Sequence, residues 1–304
     1  MTTSRARAGS RARTGTGEWA LTAELDAFEE RAGELLRSEP TLNTVALTVT
    51  ARMRVSGWAA DGARFGVWAG PGGRADGYFF WTPPHFLYVG LPGPEEGGAQ
   101  AAGALLDALA GLPVDGVNGT EEATAALADA WRSRHPGGRA ERRMRQRLFR
   151  LGDLTPPDPL PEGRPRIAGA SDRALLADWH LDFEADAHTS DPETRARAEA
   201  WADDRIGYGG VTLWEDAAGT PVSMAGVSRR SAGTVRVAPV YTPPPLRGRG
   251  YAGAVTAEVS RVELAAGVEE VLLFTDRANA TSNALYQRLG YRPVRDFAVW
   301  EFMV

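Results

Sequence analysis

The chain has 304 residues, 43% of them hydrophobic, which is the length of about two ordinary domains with enough apolar side chains for sizeable cores. A net charge of −5 and a pI near 5.5 argue against a general nucleic-acid binder. Cys and Lys are both absent, which excludes disulfides, thiolate nucleophiles, cysteine zinc sites, a lysine Schiff base and a Walker lysine.

Residues 1–17 carry Arg5, Arg7, Arg11 and Arg13 among small polar residues, with no acid before Glu18. The segment reads as a disordered basic tail, either inert or a contact for an acidic partner. No apolar h-region follows it, so it is not a secretory signal. No run of eighteen apolar residues occurs anywhere, and a soluble cytoplasmic protein without membrane contact is expected.

In the first half, a helix over Ala23–Arg37 would place Leu25, Phe28, Ala32, Leu35 and Leu36 on one face, and a second helix follows over Thr44–Met53. Strands are expected at Arg64–Ala69, Tyr78–Trp81 and Phe86–Leu91. A helix near Ala101–Ala110, a strand near Pro113–Val117, a helix Glu121–Arg134 and a strand Met144–Leu151 complete it. Residues 154–165 then hold five prolines in twelve positions, which can neither continue a helix nor pair within a sheet, and mark a linker. The boundaries are therefore a tail at 1–17, a first domain at 18–153, a linker at 154–165 and a second domain at 166–304.

The second half repeats the order: a short strand around Arg166, helices Asp172–Ala187 and Pro192–Arg205, and strands Gly210–Glu215, Val222–Ser228 and Val235–Tyr241. A proline corner and a glycine turn, Arg247-Gly-Arg-Gly-Tyr-Ala252, open an amphipathic helix. Such a turn aims several backbone N–H groups at one point on the positive end of a helix dipole, and Gly248 and Gly250 keep no side chain in the way. With Arg247 and Arg249 adding charge, it reads as a pyrophosphate cradle. Gly248, Gly250 and Gly253 also satisfy the dinucleotide pattern G-x-G-x-x-G, with Asp276 ending the next strand. A nicotinamide oxidoreductase would need a long series of βα units after that turn, however, and only about fifty residues remain.

Those residues hold strand Glu269–Asp276 and then Asn279-x-x-Ser282-x-x-Leu-Tyr286-x-x-Leu-Gly-Tyr291. Taken together in this order, the two motifs resemble the GCN5-related N-acetyltransferase (GNAT) superfamily over roughly Arg166–Val304. The resemblance implies an α/β (α+β) fold of two tandem GNAT-like domains, each a mixed central sheet flanked by helices. It further implies an N-acetyltransferase using acetyl-coenzyme A as donor, without a metal, and a primary amine as acceptor. The backbone of Val240, Tyr241 and Thr242 would meet the pantetheine arm, and Arg247, Gly248, Arg249, Gly250, Tyr251 and Ala252 would hold the pyrophosphate. Asn279 and Ser282 share a helix face with Tyr286, so Asn279 would contact the arm and Tyr286 would protonate the leaving thiolate.

Glu184 and His188 are candidates for the general base, either of which can equally be a surface group. Trp179, Ser223 and Met224 could line the pocket or serve the core. His85, His135, His180 and His188 show no metal-ligand spacing. In the first half, Glu95 and Glu96 stand where the cradle would be and would repel a pyrophosphate, so that half is expected to be degenerate and to wall the acceptor cleft. A non-catalytic acyl-coenzyme A-binding module is the rival reading. A small amine, an aminoglycoside-like molecule, an amino acid or a protein N-terminus would each suit the fold as acceptor, with a small molecule preferred.

Overall fold

The computed structural model describes residues 17–56, 62–70, 72–186 and 194–304. The basic tail, except Gly17, and His188 lie outside the described residues. In chain order the first half comprises β1 (Glu18–Thr22), α1 (Leu25–Ser38), α2 (Thr44–Ser56), β2 (Arg64–Ala69), β3 (Ala75–Trp81), β4 (Leu87–Gly90), α3 (Gly98–Ala108), β5 (Gly116–Thr120), α4 (Glu121–Arg134) and β6 (Arg139–Leu151). The second comprises β7 (Arg164–Ile167), α5 (Arg173–Asp186), α6 (Arg195–Gly207), β8 (Val211–Glu215), β9 (Pro221–Val227), β10 (Thr234–Tyr241), α7 (Tyr251–Ala265), β11 (Glu270–Asp276), α8 (Ala280–Arg288) and β12 (Tyr291–Met303).

All twelve strands form one mixed sheet in the order β1-β2-β3-β4-β5-β12-β6-β11-β10-β9-β8-β7. Only β4–β5 and β10–β11 pair in parallel, which is not the parallel sheet of a doubly wound dinucleotide fold. The middle of the order shows an exchange. The last strand of the first half, β6, pairs with β11 of the second, while the last strand of the second half, β12, pairs with β5 of the first. β6 and β12 run antiparallel against each other along their full length, from Tyr291↔Leu151 to Met303↔Arg139. The proline-rich segment is irregular only as far as Gly163: β7 starts at Arg164, and Pro165 pairs with Trp214 on the sheet's edge. The linker therefore ends two residues earlier than expected, and the sheet crosses the boundary that it marks in sequence.

Period-two alternation divides the sheet's two faces. On β6, Leu148 packs with Phe28, Leu36, Tyr88, Leu272 and Phe297 beneath α1 and α2. Its neighbour Phe149 packs on the other face with Val235, Val255, Val271, Leu273 and Tyr286 beneath α7 and α8. Phe79, Trp81, Leu105, Leu127 and Trp131 build a third cluster under α3 and α4. Trp179, Trp201, Leu213 and Met224 build a fourth, under α5 and α6. Among the described residues no helix is long and apolar enough to cross a membrane.

Several elements differ from the sequence expectation: β3 begins at Ala75 rather than Tyr78, and β5 runs over Gly116–Thr120 rather than near Pro113–Val117. β1 was not foreseen: five residues at the sheet's edge alternate too weakly to register, but Trp19 docks onto Trp68 and Phe79 at 5.6 and 5.5 Å and donates from Nε1 to Ala101 O at 2.9 Å. β6 begins at Arg139 rather than Met144, because its polar start is held by pairing with β12 and by ion pairs of Arg142 with Glu121 and Arg143 with Glu301.

Candidate functional site

β10 and β11 pair only from Thr234↔Glu270 to Arg236↔Leu272. Beyond that rung β10 carries a bulge between Val237 and Val240, and Pro239 has no N–H to donate, so the parallel ladder stops and the strands diverge. The wedge opens into a cleft of about 1960 Å³. Ligand sites more commonly enclose about 300–1,000 Å³, so there is room for two substrates side by side.

Val240, Tyr241, Thr242 and the whole turn from Arg247 to Ala252 line this cleft, as do Asn279, Ser282 and Tyr286. The residues expected to hold the coenzyme, together with Tyr286, therefore all line one cavity. Gly248 and Gly250 adopt left-handed φ values of 78° and 85°, which side chains disfavour, and Gly250 is the N-cap of α7. No side chain caps that helix, leaving its first N–H groups and the positive end of its dipole at the cleft. The linker lies against this turn: a Cβ on Gly250 would meet Pro161 at 3.8 Å, and one on Gly253 would meet Pro157 at 3.3 Å.

The arginines of the turn do different work. Arg247 donates from Nε to Thr242 O at 2.9 Å and pairs with Asp186 at 2.5 Å, which ties the turn to β10 and to α5. Arg249 is exposed and makes a 3.3 Å bond to Pro245 O. Tyr241 donates to Asp182 at 3.2 Å, and burial together with the neighbouring carboxylates pushes its pKa up to about 12. Ser223 bonds Tyr241 O at 3.0 Å and Thr242 Oγ1 at 2.8 Å, bracing the cleft strand from behind.

Asn279 precedes α8 as its N-cap, its Oδ1 accepting from Ser282 N at 3.0 Å. This puts its side chain at the mouth of the cleft rather than on the helix face with Tyr286. Tyr286 is 8% exposed, packs edge-on against Tyr291 at 5.9 Å, and its hydroxyl makes no hydrogen bond among the described residues. Burial raises its pKa well above the ordinary phenol value, so it holds its proton at any working pH.

Glu184 lines the cleft, but Trp179 and Met224 belong to the core under α5 and α6, so for these two the core reading replaces pocket lining. The wall opposite the glycine turn comes from residues the sequence reading did not single out. They are Pro84, His85 and Phe86 after β3, Asn118 on β5, Arg142–Gln146 on β6 and Val299 on β12. Strand exchange brings them there, and it leaves no local signal in the sequence.

The matching turn in the first half has a different filling. Gly97 is left-handed at 99° and caps α3, as Gly250 caps α7. There Glu96 folds back so that its carboxylate accepts from Gly93 N at 3.2 Å, and a Cβ on Gly98 would sit 2.5 Å from Pro92 O. An acidic side chain therefore stands beside this turn, where the second half has Arg249.

Residues 173–291, from the start of α5 to the start of β12, match the acetyltransferase (GNAT) family. That stretch, most of the second half, carries a GNAT domain. Among solved structures it is similar to an acetyltransferase of that family from Colwellia psychrerythraea, at 10% identity over 94% of this chain and all of that one, with a TM-score of 0.58. It is similar to a tandem GNAT protein from the clavulanic acid biosynthesis pathway, at 15% identity over 93% and 97% of the two chains, TM-score 0.54. A GCN5-related N-acetyltransferase from Sphaerobacter thermophilus shares 21% identity over 78% and 79%, TM-score 0.52. At these identities the likeness is one of fold, and it fits two GNAT-like halves sharing one sheet. None of the curated proteins matches the sequence. Members of the GNAT family use acetyl-coenzyme A as donor, and the open end of α7 together with the diverging strands suits its pyrophosphate and extended arm.

Proposed function

We propose that the protein transfers an acetyl group from acetyl-coenzyme A directly to a primary amine of a small molecule. The observation that carries this reading is the convergence on one cleft of an uncapped helix N-terminus, a strand edge released from its ladder, and the hydroxyl of a largely buried tyrosine that has no hydrogen-bond partner among the described residues.

The turn Arg247–Ala252 would hold the pyrophosphate through backbone N–H groups, and Val240–Thr242 would present the backbone edge to the pantetheine arm, with Asn279 and Ser282 at its other side. An amine bound against the wall from the first half loses a proton to solvent or to Glu184, and its nitrogen attacks the thioester carbonyl. The C–N bond forms and the C–S bond breaks. The departing thiolate takes the Tyr286 proton, which solvent later replaces. A phenol held protonated by burial is suited to this step, because it must still carry its proton when negative charge appears on sulfur. Holding both reactants in one cleft supplies much of the acceleration, the thioester being already activated.

Calorimetric titration with acetyl-coenzyme A, NADH serving as comparison, followed by thiol-release assays over a panel of amines, tests the reading. Saturable acetyl-coenzyme A binding with thiol release supports it. Binding without release from any amine would favour a non-catalytic acyl-coenzyme A module, and NADH binding in place of acetyl-coenzyme A would overturn the assignment of donor.

A further inference from the structure

The cleft is rich in arginine, and those opposite the glycine turn are mostly ion-paired. Arg142 and Arg145 share Glu121 at 3.1 and 2.8 Å, Arg143 pairs with Glu301, and Arg277 pairs with Asp296 at 2.8 Å. Arg236 has no carboxylate partner among the described residues, and one of its terminal guanidinium nitrogens is enclosed without any hydrogen-bond acceptor.

Its position follows from the strand. Val235 and Val237 point into the core beneath α7, so Arg236 points to the opposite face, where α2 of the first half packs against β10. It stands at the last rung before β10 and β11 part, at the closed end of the wedge. Its electrostatic neighbours are the Tyr88 hydroxyl and a second cation, Arg205, which is bonded to Val227 O and the Tyr208 hydroxyl and has no carboxylate partner among the described residues. The acids of the cleft are committed elsewhere: Asp186 to Arg247, Asp276 to the Ala278 amide at 2.8 Å, and Glu184 to a partner of its own. Burial, reinforced by Arg205, lowers the Arg236 pKa to about 10, so the group remains a cation at neutral pH. A desolvated charge without a counter-charge is costly, and a ligand anion is what would offset it.

We propose that Arg236 binds the carboxylate of the acceptor, and that the acceptor is therefore an amine bearing a carboxylate: an amino acid or a short derivative of one. This rests on the transferase reading above. A planar guanidinium matches a carboxylate in two parallel hydrogen bonds, which fixes the orientation of the attached amine as well as binding it. Arg236 is a positioning residue in this scheme: it touches the substrate away from the nitrogen that reacts.

The test uses the full chain with acetyl-coenzyme A, a panel of L-amino acids, and the carboxamide of each. With the native protein, kcat/KM for the acid should exceed that for its carboxamide by roughly a hundredfold. Arg236→Gln should abolish that preference by raising KM for the acid, leaving the Kd for acetyl-coenzyme A unchanged, while Arg236→Lys should restore part of it. Because Arg236 spends no ion pair inside the protein, Arg236→Gln should melt no lower than the native chain; a structural role would lower the melting temperature. Equal use of acids and carboxamides by the native protein, or an equal loss on both in Arg236→Gln, would overturn the proposal. Should no amine release thiol, the transferase reading fails separately, and thermal shift with the same panel then decides for Arg236. Stabilisation by acids alone, lost in Arg236→Gln, would sustain the site, and its absence would refute it.

Discussion

The exchange of β6 and β12 makes a strong demand on the isolated second half. A fragment of residues 164–304 retains the whole GNAT match and all of the cradle, but it lacks β6, the strand between β11 and β12. In the intact protein Leu148, Phe149 and Leu151 of that strand are 0%, 0% and 9% exposed. At about 1.5–3 kcal/mol for each buried side chain, their loss removes about 5–9 kcal/mol, before any of the two ladders β6 makes is considered. Domains are stable by only about 5–15 kcal/mol, so the fragment should not hold the native fold. It should be poorly soluble, melt without a cooperative transition in circular dichroism, and show no saturable acetyl-coenzyme A binding. Residues 1–153 co-expressed with it should restore a stable complex that binds acetyl-coenzyme A, because each half supplies the strand the other lacks. A 164–304 fragment that unfolds cooperatively and binds acetyl-coenzyme A as the full chain does would refute the reasoning.

At the cradle, Gly250→Val forces a branched side chain into a left-handed backbone at a cost of roughly 1–2 kcal/mol, while the added Cβ meets only Pro161, at 3.8 Å. The fold should survive with a melting temperature a few degrees lower, and calorimetry should show acetyl-coenzyme A affinity down more than tenfold; Arg249→Ala, at an exposed residue, should cost less than tenfold. Tyr286→Phe should lower kcat by about a hundredfold or more while leaving the acetyl-coenzyme A Kd unchanged, and unaltered turnover would remove the acid role. Tyr78, Tyr88, Tyr286 and Tyr291 all have pKa values raised by burial, whereas in the unfolded chain they ionise near 10. Their contribution to stability is thus full below about pH 10 and is lost as pH rises through the folded values. Melting temperature should decline above pH 10, in step with phenolate absorbance that appears only on unfolding.

The second-half site was legible because its chemistry is local. Two glycines needing positive φ, an uncapped helix start and an Asn-to-Tyr helix each announce themselves within a dozen residues, and the structure brings all of them to one cleft. The element order was legible for the same reason, apart from β1, an edge strand whose five residues alternate too weakly. What the sequence did not reveal is non-local. Nothing in Arg139–Leu151 says that it will pair with Leu272–Asp276 and with Tyr291–Met303, because register between distant strands depends on which faces need burying. The opposite wall of the cleft therefore stayed hidden, and so did Arg236, a polar residue in an apolar strand that the periodicity alone would assign to solvent.

The shared sheet also explains how two similar halves can differ in chemistry without coming apart. Each terminal strand is long, pairs on both edges, and is held by the other half's hydrophobic layers, so the fold depends on both halves equally. The helix-start turns lie away from those strands and are free to diverge. In the first half, Glu96 puts a carboxylate beside the α3 turn, bonded to the Gly93 amide, where it would repel a pyrophosphate. In the second, the α7 turn keeps its donors open, and the cleft beside it is closed by β6, Asn118 and the His85 loop from the first half. Under the proposed function, a half without an open cradle of its own would thus still build the acceptor side of its partner's site. Substitutions on that wall, Asn118 and Arg145 among them, should alter which amine is used before they alter the affinity for acetyl-coenzyme A. Steady-state kinetics with both substrates varied would separate the two effects, and a loss confined to the acetyl-coenzyme A KM would show that the wall serves the donor instead.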